Sequence, residues 1–139
     1  MFNRIEAAAV VLAVAVLGAC TPRPQTPLGG TASVTVNSNE AKFQIVKCTQ
    51  VEWYRKIEIG GDFAGATVAV DARAEPVTVK SVRIRNLGGF TGMYSQGDGD
   101  DATTSLSSGK FTISGTAHGY QVDKPTEPAT ATFKILVTC

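Results

Sequence analysis

The chain has 139 residues, 13 Lys plus Arg against 12 Asp plus Glu, one His and a formal net charge of +1. Such a balance lacks the basic footprint that nucleic-acid binding requires, and the length suits one domain with its own core rather than two. Outside the N-terminal apolar run the composition is rich in Thr, Ser, Val and Gly, which points to strands.

The first element is an uncharged run, Ala7 to Leu17 (AAAVVLAVAVL), preceded by Arg4 and Glu6. It reads as the apolar core of a signal peptide. A transmembrane helix wants about 20 apolar residues, so a cleaved segment is the better reading. The run closes on Leu17-Gly18-Ala19-Cys20, a branched aliphatic residue, two small residues and a cysteine. Bacterial lipoprotein processing reads this pattern. Gly18 and Ala19 let extended backbone enter a peptidase cleft. The Cys20 thiol takes a diacylglycerol before cleavage exposes its amine, which can then carry a fatty acid such as palmitate. The competing reading is an ordinary secretory signal cut near Ala19 with an incidental cysteine. The expected divisions are a signal peptide over 1–19, an acylated N-terminus with its tether over 20–33, and a folded domain over 34–139.

Thr21 to Ser33 (TPRPQTPLGGTAS) carries three prolines and two glycines without apolar periodicity, the composition of an extended tether. At about 3.3 Å per residue it reaches on the order of 40 Å. The chain therefore has three cysteines in an exported context, an odd number unless Cys20 is acylated. Acylation leaves Cys48 and Cys139 as a pair in an oxidising compartment, where a disulfide persists. Two free buried thiols are the alternative; a metal site would need more ligands than these two cysteines and the distant His118 supply.

Strand signals then follow one another, and helical periodicity is nearly absent. Val34 and Val36 begin the series, then Phe43 and Ile45, Val46 and Cys48, and Ile57 and Ile59 before Gly60-Gly61. Ala66, Val68 and Val70 alternate cleanly. In Val77 to Arg85 the apolar face switches: Val77 and Val79 share one parity, Val82 and Ile84 the other. The switch near Lys80-Ser81 predicts a bulge or a sheet corner. A similar change falls between Ile45 and Val46. Phe111, Ile113, Gly115, Ala117 and Gly119 alternate with polar residues that include His118, which is expected on the polar side. Ala131, Phe133, Ile135, Val137 and Cys139 form the last strand, with the cysteine expected inward. Pro125 and Pro128 mark the connection between these two strands. The fold class is all-β, an antiparallel β-sandwich closed by one disulfide.

Chemistry-bearing patterns are few. One histidine, with no Gly-x-Ser-x-Gly elbow, Walker-type loop or paired metal-ligand motif, gives no catalytic residue to name, so no enzyme, cofactor or metal is expected. Gly97-Asp98-Gly99-Asp100-Asp101 departs from an EF-hand loop, since Thr103 and Gly109 stand at its sixth and twelfth positions; it reads as a solvated turn. Lys80, Arg83 and Arg85 could meet anionic headgroups, but the preferred reading is an edge strand blunted by charge. Trp53-Tyr54 is either a binding surface or a lid over one end of the core. Gly115, Ala117 and Gly119 on an apolar face allow close packing or room for a ligand chain. If a ligand is bound, Trp53, Phe111, Ile113, Gly115 and Ala117 are the candidate lining residues.

Several segments taken together resemble a known family: Cys48-Thr49, Ile57-Glu58-Ile59-Gly60-Gly61, Val79-Lys80-Ser81-Val82, Asn86 with Gly88-Gly89, Phe111 to Gly119 (FTISGTAHG), and Phe133 through Val137-Thr138-Cys139. The chain is similar to the mycobacterial lipoprotein antigens of the LpqH type, as a paralogue within that family. The resemblance implies an acylated envelope protein held on the outer side of the cytoplasmic membrane or at the cell surface. By the same resemblance its lipopeptide end would be sensed by a host Toll-like receptor, and its domain would handle an envelope lipid. Only Cys20 as the lipid attachment and Cys48 with Cys139 as the disulfide carry over. The family's long Ser/Thr-rich tether that can bear sugars is replaced here by a short, proline-rich one.

Overall fold

A computed structural model describes residues 30–73 and 75–139. The signal-peptide run, Cys20 and the tether up to residue 29 lie outside the described residues. Ten strands follow: β1 Ala32–Val36, β2 Asn39–Phe43, β3 Val46–Val51, β4 Tyr54–Gly60, β5 Gly65–Asp71, β6 Thr78–Leu87, β7 Phe90–Ser95, β8 Thr103–Ser107, β9 Lys110–Gln121 and β10 Lys124–Thr138. The sheet starts at Ala32, so the last two residues of the expected tether belong to β1, where Ala32 pairs with Val137 and Phe43.

Every pairing is antiparallel, and all ten strands belong to one sheet in the order β2-β1-β10-β9-β7-β6-β5-β4-β3, with β8 paired to β9. This corrects the expected two-layer sandwich: a single sheet coils until nearly closed, giving a barrel-like shape. The cause lies in the connectivity. The two edge strands, β2 and β3, are joined by Gln44-Ile45 alone, so the ends of the strand order are drawn together. Gly60 N–H donates to the Ile45 carbonyl at 2.9 Å. The coiling also brings the Arg55 guanidinium of β4 to 5.4 Å from the Phe111 ring of β9, although three strands stand between them in the sheet. The apparent face change between Ile45 and Val46 is thus a break between two strands, and Ile45 is exposed.

The switch in Val77 to Arg85 is a bulge. Pairing passes from Ala69 opposite Ser81 to Val70 opposite Val79, leaving Lys80 as the extra residue. The insertion puts Val79 and Val82 on the same inner face, 2% and 0% exposed. It also adds twist, which a coiling sheet needs. Pro125 and Pro128 are not in a connection but within the exposed start of β10. There the register jumps from Lys124 opposite Gln121 to Ala129 opposite Gly119, so neither proline has to donate to the ladder.

One core fills the interior. Its largest fully buried side chains include Phe90, Phe111, Ile57, Ile59, Ile84, Ile113 and Ile135. Alternation in β4, β9 and β10 delivers Ile57, Ile59, Phe111, Ile113 and Ile135 to one face, as period-two geometry requires. At one close approach Gly92 of β7 stands opposite Gly119 of β9. A Cβ on Gly119 would lie 2.0 Å from the Thr91 carbonyl oxygen, so only hydrogen fits there.

Candidate functional site

The domain presents its tether at a fastened corner. Thr138 N–H donates to the Thr31 carbonyl at 3.1 Å, and Cys139 N–H donates to the Gly109 carbonyl at 3.3 Å. Beside them, Cys48 and Cys139 form the disulfide, with a Cα separation of 5.8 Å. Cys48 is half-buried against the core. Cys139 lies one residue past β10 and is exposed rather than inward, because the strand ends before it. A hollow of about 390 Å³ borders the corner, lined by Thr31, Ala32, Lys42, Phe43, Gln44 and Lys110 among others. Any pull on the tether is therefore transmitted to β1 and β10, two strands that place seven buried residues in the core (Ala32, Val34 and Val36; Ala131, Phe133, Ile135 and Val137), rather than to a loose end.

Of the candidate ligand-lining residues, Phe111, Ile113 and Ala117 are 1%, 0% and 0% exposed. Gly115 pairs with Phe133 across β9 and β10, and a Cβ on it would sit 2.8 Å from Phe133 Cζ. The Phe133 ring thus occupies the space that the glycine leaves, an aromatic residue laid over a cross-strand glycine. Tyr94 packs on the same ring at a centroid distance of 6.2 Å, and its hydroxyl accepts from Ala102 N–H at 3.0 Å.

Trp53 lies apart from these, half-exposed in the β3–β4 turn. Its carbonyl accepts from Ala72 N–H at 2.9 Å, and the Arg73 guanidinium lies 5.7 Å from its ring. Arg73 in turn grips Asp71, the buried carboxylate at the end of β5. Arg73 Nε donates to both carboxylate oxygens at 3.0 and 2.9 Å, Nη2 donates to Oδ2, and the Arg73 backbone N–H donates to Oδ1 at 3.0 Å. These donors, the guanidinium first, pull the Asp71 pKa from 3.8 to about 2, and Asp71 raises that of Arg73. Sequence reading missed this pair. The available signal was an Asp-x-Arg spacing at a strand end, where an Asp side chain can fold back on its own turn.

His118 is exposed, as its parity predicts, and shares a hollow of about 310 Å³ with Asp98 and Asp100. Among the described residues no group of three or more His, Cys, Asp or Glu is placed to hold a metal ion. The basic residues of β6 do not blunt an edge, since β6 lies between β5 and β7. Arg83 and Arg85 instead stand on the outer face of β3 to β6, beside Lys47 and Lys56 of β3 and β4.

The model of the Mycobacterium 19 kDa lipoprotein antigen family matches residues 25–139. A lipoprotein of Mycobacterium indicus pranii is 60% identical over 139 residues, all of both chains. Lipoprotein LppE of Mycobacterium tuberculosis is 28% identical over the full length of both. Lipoprotein LpqH of Mycobacterium avium is 36% identical over 95 residues, 68% of this chain and 58% of its own. The described domain, with its disulfide-closed all-β sheet, and these matches place the chain in the mycobacterial 19 kDa lipoprotein antigen family.

Proposed function

We propose that the protein is a non-enzymatic, lipid-anchored lipoprotein of the cell envelope, acylated at Cys20 and held on the outer side of the cytoplasmic membrane or at the cell surface. In this reading the acylated N-terminus is the active part, able to engage a host Toll-like receptor, and the β-domain is its stable carrier. The observation that carries the reading is the Leu17-Gly18-Ala19-Cys20 pattern at the end of an uncharged run in a chain of a lipoprotein antigen family. The domain supports it with a closed core, and with a side chain already occupying the space that a bound lipid would need at Gly115.

Metabolic labelling with a palmitate analogue in a mycobacterial host tests it. The native chain should take up label and enter the detergent phase on cloud-point partition. Cys20→Ser should take up none, and should retain residues 1–19. Label that persists in Cys20→Ser would contradict the assignment. For the receptor, the acylated chain should trigger a Toll-like receptor reporter cell, and residues 20–139 carrying Cys20→Ser should not.

A further inference from the structure

We infer that the outer face of β3 to β6 is a second membrane contact, which lays the domain on an anionic phospholipid surface. The inference rests on the anchored reading above and extends it from the N-terminus to the domain. Antiparallel register builds the face: Lys47 stands opposite Glu58, Glu58 opposite Thr67 and Thr67 opposite Arg83, so one row crosses four strands. Lys56 and Arg85 flank this row around a shallow hollow of about 570 Å³ that also includes Asp62. Lys56 is paired with Glu58 at 3.2 Å. Lys47, Arg83 and Arg85 have no carboxylate partner among the described residues, in a chain whose whole net charge is +1. The hollow is lined by four cations against two carboxylates, Glu58 and Asp62, and so has a positive excess of its own.

Two further observations select a membrane over a soluble anion. First, large apolar side chains stand out from the loops at the rim: Ile45 is 70% exposed and Phe63 is 84% exposed. Arg85 fixes the loop that bears Phe63, donating to the Gly61 carbonyl at 3.2 Å and to Thr67 Oγ1 at 2.7 Å. Cations around protruding apolar side chains suit an interface where headgroups are charged and the layer beneath is not. Second, the tether enters next to this face. Gln44 lines the hollow that contains Thr31 and Ala32, and its neighbour Ile45 lines the basic one. An anchor at Cys20 therefore delivers this face to the bilayer it is tied to, where a weak contact acts at high effective concentration.

The test uses residues 20–139 with Cys20→Ser, so that no lipid contributes, in cosedimentation with vesicles of equal parts phosphatidylglycerol and phosphatidylcholine or of phosphatidylcholine alone. Binding is expected to the anionic vesicles only, and to fall as salt is raised. Lys47→Gln with Arg83→Gln should weaken it about thirty-fold, given the usual gain per basic residue at an anionic surface. Phe63→Ser should weaken it as well. Lys124→Gln with Lys134→Gln, which removes the same charge from β10, should leave it unchanged. Equal binding to both vesicle types, no binding to either, or equal losses from the two double variants would overturn the inference. Failure of the anchor would instead appear as a native chain that takes up no palmitate label, whatever the vesicles show.

Discussion

Cys48 of β3 is bonded to Cys139, the residue after β10, across a sheet in which five strands stand between β10 and β3. The bond therefore ties β3, the edge strand at the seam that hydrogen bonds leave open, to the end of β10, and it encloses the domain from its third strand onward. Reduction, or Cys48→Ala with Cys139→Ala, should lower the free energy of unfolding by about 4–5 kcal/mol in the chain-entropy model for a loop of 91 residues. Guanidinium titrations with and without reductant measure this. A loss below about 1 kcal/mol would mean that the seam is held by packing instead.

Gly115 and Phe133 make a second checkable pair. A methyl group on Gly115 would lie 2.8 Å from Phe133 Cζ, so Gly115→Ala should cost about 1–3 kcal/mol by overpacking. Combining it with Phe133→Leu should give less than the sum of the two single losses. Ala117→Leu, at a position 0% exposed, should also destabilise by about 1–3 kcal/mol. If Ala117→Leu kept full stability yet removed binding of an envelope lipid, the domain would contain a cavity and the carrier reading would replace the scaffold reading.

The grip of Arg73 on Asp71 gives a pH dependence of defined sign. The folded-state pKa of Asp71 is about 2 against an ordinary 3.8, so the folded protein holds this carboxylate ionised more readily than the unfolded chain. Its contribution is complete above the ordinary value and is lost as pH falls from about 4 toward 2. Asp71→Asn should flatten the stability profile in that window. Thermal melts of both proteins across it would show the difference, and parallel profiles would remove the pair from the account.

Lys80 separates a role of the backbone from a role of the side chain. Its side chain reaches only the exposed Gln96 at 3.0 Å, so Lys80→Ala should change stability by no more than about 0.5 kcal/mol. Deleting Lys80 removes the bulge and would turn Val77 and Val79 outward. The deletion variant should fail to give a cooperative unfolding transition.

Strands with an inward apolar comb were readable from the residues: the parity of β9 and β10, the bulge in β6 and the pairing of Cys48 with Cys139 all follow from alternation or cysteine arithmetic. Two strands were not. β7 (FTGMYS) buries only Phe90 and Tyr94 around a glycine, and β8 (TTSLS) buries no residue, so neither carries a period-two signal. Sandwich and coiled single sheet differ in which strands become neighbours, and alternation within a strand is blind to that. The short link at Gln44-Ile45, hidden inside what looked like one long strand, decides it. The basic face was illegible for a related reason. Lys47, Lys56, Arg83 and Arg85 are scattered in the sequence, and only the register brings them together. The Cys20 pattern, by contrast, is entirely local and stands outside the described residues.

Mass spectrometry of the mature protein, purified from the membranes of a mycobacterial expression host, reads the acylated N-terminus itself. The expected result is an N-terminal peptide that begins at Cys20 and carries a diacylglycerol on sulfur and a fatty acyl group on nitrogen, with Cys48 and Cys139 linked. A mature chain that begins elsewhere, or one with an unmodified Cys20, would contradict it.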